Sequence, residues 1–405
     1  MHHNRSTTGR MTEIEKSSQS RNGNFWDGNE YTPWTPRWIG KELLLCLAER
    51  RLPKRALVRR KVNPSWYYTL KVKNALTTKV KVGFGPVIEG EYNIGVRGSR
   101  IDPIVDAINA NSMTYSADIF FDFDEIARFD VVVIVKEFHP ALYPQIEALR
   151  SQGKIFVFDI VDNPFCTDPS SVSYHDHPEF LQLMDGVISS NPVQTDDVSP
   201  INPHVVLIEH PIINFEHSSY PNKSTVDIIW QGYMANVEAM FRLHAILERI
   251  RQDSGHDVRM IYHSNAPTNH DGIIHYVKWK IRDWQKMLAQ ADIGIVIKPP
   301  DDEIQRRKPS NKVLSYMAAG LPVICTPTES DKLIMEHGKT GFFAYTDDDW
   351  YSALKTLVEQ PDLRKTLGMA GRDYVKERFT IERITQKYLS FFDTIRQEQH
   401  KRSST

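Results

Sequence analysis

Short apolar segments alternate with amphipathic helical segments along most of this chain, and they do so in two series. Strands are predicted in the first series at residues 79–84, 118–121, 131–135, 155–160, 186–189 and 205–213. In the second series they are predicted at residues 226–230, 258–262, 293–298 and 323–325. Strands that alternate with helices are typical of parallel sheets, since a parallel connection has to cross from one end of the sheet to the other.

The length of 405 residues suits two domains of about 150 to 200 residues each. We therefore predict an α/β fold with two Rossmann-like parallel-sheet domains facing a cleft, where open sheets of this kind bind ligands. The predicted divisions are a disordered polar tail at 1–35, a basic aromatic extension at 36–78, a first domain with its linker at 79–223, a second domain at 224–380 and a C-terminal helix at 381–405.

Positive charge is concentrated in one part of a nearly neutral chain. From Arg50 to Lys81 there are eleven Lys or Arg residues and no Asp or Glu, with Trp66, Tyr67 and Tyr68 among them. Basic residues with interfacial aromatics can hold a protein against an anionic membrane surface. The stretch reads equally as a solvated extension. No nucleic-acid motif accompanies the charge, so we predict no nucleic-acid partner.

The cysteines and the apolar runs point to a compartment. Cys46, Cys166 and Cys325 are scattered, which favours neither a disulfide framework nor a zinc site. The early apolar run at residues 43–48 is far shorter than the roughly 20 residues that cross a bilayer. These features predict a cytoplasmic protein, peripheral at the inner face of the membrane if the basic stretch binds lipid.

Residues 308–325 combine a helix start with a buried strand. Ser310 is predicted to cap a helix at 311–319, Gly320 to end it in a left-handed conformation, and Pro322 to lead into the strand. Arg306, Arg307, Lys308 and Lys312 cluster around the helix start. Free backbone N–H groups beside cationic side chains suit a diphosphate.

Lys298 ends the preceding strand, and with Lys312 it is the strongest phosphate candidate. Asp301, Asp302 and Glu303 follow it. Three adjacent acids can ligate a divalent ion, but they are more often a solvated loop, so no metal or other cofactor is predicted.

Four segments together resemble glycosyltransferase family 4, the group-1 retaining glycosyltransferases of GT-B fold. The first reads Val-Asp-Ile-Ile-Trp-Gln-Gly-Tyr at 226–233, and the others lie at 284–298, 308–325 and 334–343. The resemblance implies a GT-B fold, with the acceptor on the first domain, the donor on the second and a terminal helix that returns to the first domain. Members usually carry two glutamates eight positions apart, where this chain has Arg307 and Ser315.

The donor site is expected to include residues from several loops of the second domain. Gly232 lies in the first glycine turn, and His263 follows the strand at 258–262, where it could stack on the base. Glu329 is a possible contact, although helix capping by Thr328 or Ser330 explains that segment equally well. The expected donor-binding residues are Lys298, Arg307, Lys312, Ser315, Gly232, His263 and Glu329.

In the first domain, Gly95, Arg97 and Gly98 form a loop that could approach the phosphates or the acceptor, or serve turn geometry alone. His139 and Asp162 follow two successive strands and are the predicted catalytic residues. The imidazole could bind the sugar and the carboxylate could take the acceptor proton. Their alternatives are a loop histidine before Pro140 and a turn-forming Asp-Asn-Pro segment.

The predicted function is transfer of a sugar, with retention, from a nucleoside-diphosphate sugar to a hydroxyl acceptor. The acceptor would be a saccharide or lipid-linked glycan in envelope polysaccharide synthesis. One alternative is a catalytically silent GT-B protein that binds a nucleotide sugar or glycan and scaffolds a partner, which the Arg307 and Ser315 departures support. Another is epimerisation of a nucleotide sugar, which would need carboxylates at the reacting carbon.

Overall fold

The computed structural model describes residues 79–87, 97–136, 140–161, 178–212, 218, 220, 223–232, 242–264, 272–280, 284–299 and 302–403. These residues all belong to one compact unit, Tyr68–Thr405. They form two parallel sheets flanked by helices.

The first sheet contains six parallel strands in the order β2-β1-β3-β4-β5-β6. They are β1 Val80–Gly85, β2 Tyr115–Ile119, β3 Val131–Val135, β4 Ile155–Asp159, β5 Gly186–Ser189 and β6 Val205–Leu207. Strands β2 to β5 are buried along their whole length. Helices cover both faces of such a sheet, which is why β3 and β4 are apolar almost throughout.

The second sheet also has six parallel strands, in the order β12-β11-β10-β7-β8-β9. They are β7 Thr225–Gly232, β8 Asp257–Ser264, β9 Ile274–Lys278, β10 Ile293–Val296, β11 Val323–Cys325 and β12 Gly341–Phe343. The two sheets confirm the predicted fold class. The edge strands β9 and β12 were not predicted, because one is half-exposed and the other is only three residues long.

The helices connect these strands. They are α1 Asp102–Asn111, α2 Tyr143–Arg150, α3 Pro178–Leu183, α4 Pro192–Val198, α5 Leu243–Ser254, α6 Trp284–Gln290, α7 Glu303–Arg306, α8 Asn311–Ala318, α9 Glu329–Ile334, α10 Asp347–Glu359, α11 Pro361–Arg378 and α12 Ile381–Ser403. A π-helical turn at Arg97–Ile101 precedes α1, and two 3₁₀ turns lie at Phe123–Arg128 and Pro140–Leu142.

The last helix, α12, packs on residues of the first sheet. The Tyr388 ring lies 5.9 Å from that of Phe84, and the Phe392 ring lies 6.0 Å from that of Tyr115, both measured between centroids. No helix in the described ranges is both long and apolar enough to cross a bilayer. The predicted domain boundaries stay predictions.

Two successive connections begin at one edge of the second sheet. The chain passes from β10 through α7 and α8 to β11, and from β11 directly into α9. The carboxyl ends of parallel strands meet at the same edge of a sheet. This topology brings the end of β10, the start of α8 and the start of α9 together.

Candidate functional site

Helix α8 and its termination follow the sequence prediction closely. The helix ends at Ala318, one residue before the predicted end, and Gly320 follows with φ of 76°. The Gly320 N–H donates to the Met317 carbonyl at 2.9 Å, which closes the helix before β11 begins. The predicted helix, glycine stop and strand are confirmed.

The predicted capping role of Ser310 is wrong. Its side chain makes no cap hydrogen bond to the helix; instead, the Ser310 hydroxyl donates to Asp331 Oδ1 at 2.6 Å. A buried carboxylate is a strong acceptor, and it holds the hydroxyl away from the helix N–H groups. The first intrahelical bond runs from the Leu314 N–H to the Ser310 carbonyl, so the N–H groups before it remain available to a ligand.

Asp331 is the buried centre of this edge. It is completely buried, and its carboxylate accepts from the ammonium of Lys298 and from the hydroxyl and N–H of Thr328, the latter two at 2.8 Å. Thr328 and Asp331 form a capping box at the start of α9, which confirms the capping interpretation of that segment. The positive charge of Lys298 is therefore balanced by the Asp331 carboxylate.

Lys312 differs from Lys298 because no carboxylate in the described part of the chain pairs directly with it. Among the residues that the structure describes, no group forms a hydrogen bond or ion pair with the ammonium of Lys312 or of Lys308. Burial, reinforced by repulsion from Lys308 and Lys298 and opposed by Asp331, lowers the pKa of Lys312 to about 8. An anion bound here would regain the favourable interactions that the desolvated cation lacks.

Arg307 is engaged by carboxylates. Its guanidinium pairs with Asp197 at 2.8 Å and with Glu303 at 2.5 Å. Arg306 pairs with Glu303 at 2.7 Å and with Glu329 at 3.2 Å. The two arginines of the predicted cationic cluster thus enter the site with partners.

The remaining candidates in this segment also have local partners. The Ser315 hydroxyl donates to the Asn311 carbonyl at 2.7 Å, which leaves its oxygen able to accept. Of the acidic trio, Asp302 caps α7 by accepting the N–H groups of Ile304 and Gln305, while Asp301 lies outside the described residues. Within those residues, no group of His, Cys, Asp and Glu is arranged to hold a metal ion.

Gly232 is the last residue of β7, and His263 lies near the end of the neighbouring strand β8. A Cβ at Gly232 would lie 2.6 Å from the Trp230 ring, so this position needs glycine for packing. His263 lies inside β8 rather than after it, and only 1% of its surface is exposed. Its Nδ1 pairs with Nε2 of Gln231 at 2.8 Å. A ring so enclosed has no open face on which a base could stack.

Most of the candidate residues predicted in the first domain are not among those that the structure describes. Gly95, His139 and Asp162 lie outside the described residues. Arg97 begins the π-helical turn, and Gly98 lies within it with open space where a Cβ would be. Gly98 therefore belongs to a helical turn rather than to the predicted loop.

A buried polar cluster at the carboxyl edge of the first sheet was missed from the sequence. Arg100 pairs with Asp159 at 2.9 Å, both 1% exposed, and Tyr388 donates to the same carboxylate. Burial, reinforced by the Arg100 charge, lowers the pKa of nearby His210 well below its usual value, so this ring is neutral at pH 7. The residues come from four distant segments, and no local pattern joins them.

Asp331 was also absent from the predicted site residues, whereas Lys308 was predicted only as a member of the cationic cluster around the start of α8. The spacing of Thr328 and Asp331, three residues apart before an apolar residue, is a capping-box signal that could have identified Asp331. Its pairing with Lys298, 33 residues away, has no such signal.

Comparisons with known proteins agree with this architecture. Residues 245–390 match a family model described as Glycosyl transferase-like. Human ALG2, an alpha-1,3/1,6-mannosyltransferase, is 27% identical over 136 residues, which are 29% of this chain and 32% of ALG2. The chain therefore matches about a third of the length of this curated relative.

Several solved structures share the fold. Anabaena HepE in complex with UDP and glucose aligns with a TM-score of 0.56 at 12% identity, over 78% of this chain and 100% of HepE. Sucrose-phosphate synthase from Thermosynechococcus elongatus aligns with a TM-score of 0.54 at 10% identity, over 78% of this chain and 99% of the synthase. TarM aligns with a TM-score of 0.51 at 14% identity, over 65% of this chain and 54% of TarM. The chain has the GT-B fold and carries a glycosyltransferase-like segment.

Proposed function

We propose that this chain is a retaining glycosyltransferase, similar to family 4, that moves a hexosyl group from a nucleoside-diphosphate sugar to a hydroxyl acceptor. The observation that carries the proposal is the half-buried Lys312 ammonium, which has no ion-pair partner among the described residues, at a helix terminus whose N–H groups lack a side-chain cap. A diphosphate supplies both the missing charge and the missing acceptors.

The chemistry separates charge, and the site is suited to that. The bond from the anomeric carbon to the diphosphate oxygen breaks, and a bond to the acceptor oxygen forms on the same face of the sugar. Negative charge grows on the leaving diphosphate, where Lys308, Lys312 and the α8 terminus would stabilise it. The proposal includes no metal ion or further cofactor, since these groups supply the positive charge. His139 and Asp162 remain the candidates for sugar binding and for taking the acceptor proton.

The proposed acceptor is a saccharide or a lipid-linked glycan of an envelope polysaccharide. The basic stretch from Arg50 to Lys81, nearly all of it outside the described residues, would hold a cytoplasmic protein at the inner face of the membrane. Cosedimentation with vesicles tests this part. Binding to phosphatidylglycerol vesicles but not to phosphatidylcholine vesicles supports it, and equal binding to both contradicts it.

The donor test is a thermal-shift screen against UDP, GDP, ADP, TDP and CMP and their sugars. UDP comes first because UDP is present in the HepE structure. A ligand that binds the folded state raises the unfolding temperature. We expect one nucleotide to stabilise the wild-type protein and to lose that effect in Lys312→Met. The control is Lys332→Met, an exposed lysine of α9 that should leave the shift unchanged. Loss of the shift in both variants would point to non-specific charge.

A second candidate is a silent GT-B protein that binds the nucleotide sugar without transferring it. The observation in its favour is that Arg307 and Ser315, at the two positions where a glutamate pair is usual, are engaged by Asp197, Glu303 and the Asn311 carbonyl. Nucleotide binding with neither transfer to saccharide acceptors nor hydrolysis of the donor would favour this candidate.

A further inference from the structure

The start of helix α4, on the first sheet, hydrogen-bonds to the backbone that leads into α8, on the second. The Asn191 side-chain amide donates to the carbonyls of Arg306 at 2.9 Å and Lys308 at 3.0 Å. The Gln194 amide donates to the Arg307 carbonyl between them at 2.8 Å. Three consecutive carbonyls are therefore held by two side chains of another layer.

The oxygen atoms of the Asn191 and Gln194 amides also form hydrogen bonds, and these bonds orient both side chains. The Asn191 oxygen accepts the Val193 N–H at 2.7 Å and caps α4, and the Gln194 oxygen accepts the Ser190 N–H at 2.9 Å. Neither side chain is exposed to solvent at all. The NH₂ groups of both amides are therefore fixed toward the second sheet. Flipping either amide would break the hydrogen bonds of its oxygen as well as those of its NH₂ group.

The segment held in this way has little support of its own. Helix α7 is a single turn, and the carbonyls at and after its end have no following helical N–H groups from which to accept a hydrogen bond. The Asn191 and Gln194 amides satisfy these groups, while the pair of Asp197 with Arg307 adds a third contact from α4. Lys308 belongs to this segment, and Lys312 follows in the first turn of α8.

We propose that Asn191 and Gln194 are positioning residues for the anion site: they fix the backbone of residues 306–308 so that Lys308 and the α8 terminus converge on one bound diphosphate. This inference rests on the proposed function of that site. A site that binds a developing charge works best when its donors are already in place, because ordering them on binding costs affinity.

The test compares two asparagines with the same type of hydrogen bonding. Asn202 is 3% exposed, donates to the Leu181 and Met184 carbonyls at 2.7 and 3.0 Å, and accepts the His204 N–H at 2.9 Å. All of these partners lie within the first-sheet layer. Asn191→Ser and Asn202→Ser each remove two amide donations while a short hydroxyl remains, and serine is itself a favoured helix cap.

The full chain and both variants are titrated with inorganic pyrophosphate by calorimetry, and amide hydrogen exchange of residues 306–314 is followed without ligand. Both variants should lose thermal stability, but only Asn191→Ser should bind pyrophosphate about tenfold more weakly and exchange faster at 306–314. Equal pyrophosphate affinity in wild type and Asn191→Ser would overturn the positioning role. A wild type that does not bind pyrophosphate would overturn the anion site itself, and this inference with it.

A milder variant keeps the test decisive if Asn191→Ser does not fold. Gln194→Met removes the single amide donation to the Arg307 carbonyl and changes no charge at the site. It should weaken pyrophosphate binding about twofold to threefold, again with faster exchange at 306–314. Unchanged affinity and unchanged exchange would contradict the proposal.

Discussion

Each sheet carries a buried cation and carboxylate at its carboxyl edge, and the two pairs differ in what surrounds them. In the first sheet, Arg100 donates to Asp159 and also to the carbonyls of Ile208 and Glu209, at 3.0 and 3.2 Å. The Tyr388 hydroxyl completes the cluster from α12. Every charge there has an opposite charge, so the cluster joins the sheet, the chain after β6 and the last helix.

In the second sheet the pair of Lys298 with Asp331 is similarly buried, yet two further cations, Lys308 and Lys312, lie nearby. One carboxylate cannot balance three ammonium groups, and burial, reinforced by repulsion from Lys308 and Lys298, lowers the pKa of Lys312. A buried pair with matched charges serves stability, whereas an edge with unmatched cations is suited to binding an anion.

The largest effect is expected from the first cluster. Arg100→Met leaves the Asp159 carboxylate buried without its counter-charge and should lower the free energy of unfolding by about 3 to 5 kcal/mol. Urea denaturation measures this. The control is Arg150→Met, whose pair with Asp185 is 2.7 Å long but has a guanidinium side chain that is 30% exposed, and it should cost about 1 kcal/mol or less. Similar losses in both variants would contradict a special role for the buried pair.

Removing the carboxylate of the second pair should both destabilise the protein and raise its response to anions. Asp331→Asn leaves Lys298 uncompensated and should cost about 3 kcal/mol of unfolding free energy without ligand. Pyrophosphate should then recover more stability than it adds to the wild type, since the site holds more unmatched charge. The comparison variant is Asp347→Asn, at an exposed pair with Arg242. If pyrophosphate added less unfolding free energy to Asp331→Asn than to the wild type, the proposed contrast between the charge-matched and the charge-unmatched sheet edge would be contradicted.

Lys312→Met should stabilise the empty protein while it weakens the site. Replacing a desolvated, unpaired ammonium by an apolar side chain should raise the free energy of unfolding by about 2 kcal/mol at pH 7. Pyrophosphate affinity should fall about tenfold, corresponding to the loss of one charge-assisted contact. Urea denaturation and calorimetry give the two numbers. A variant that loses stability without ligand would show that Lys312 has a structural partner.

The smallest expected effect is the pH dependence of the difference in unfolding free energy between Lys312→Met and the wild type. The pKa of Lys312 is about 8 in the folded protein, against a usual value of 10.5. Between these values the unfolded chain binds more protons than the folded one, so the Lys312 penalty is complete below pH 8 and fades as pH rises toward 10.5. The stability gap between Lys312→Met and wild type should therefore narrow by about 1 kcal/mol from pH 7.5 to 9. A gap that is constant over this range would contradict the lowered pKa.

Local sequence patterns were sufficient to predict the backbone of the anion site in the second sheet. Helix α8, its stop at Gly320 and strand β11 were predictable because periodicity and a left-handed glycine act over a few residues. The alternation of strands and helices likewise predicted two parallel sheets. Strand ends were less well predicted: β2 begins at Tyr115, three residues before its predicted start.

The fold class, the α8 segment and the presence of cations near it could be predicted from the sequence, since these depend on apolar spacing and residue type. Which of these cations can bind an anion depends on contacts that form only in the folded chain. Ser310 turns to Asp331, 21 residues away, and Arg307 pairs with Asp197, 110 residues away. Within the described ranges, Lys312 has neither a hydrogen-bond nor an ion-pair partner. The physical reason is that a buried charge acquires its partner from whatever the folded chain brings within about 3 Å, and sequence distance does not limit that choice.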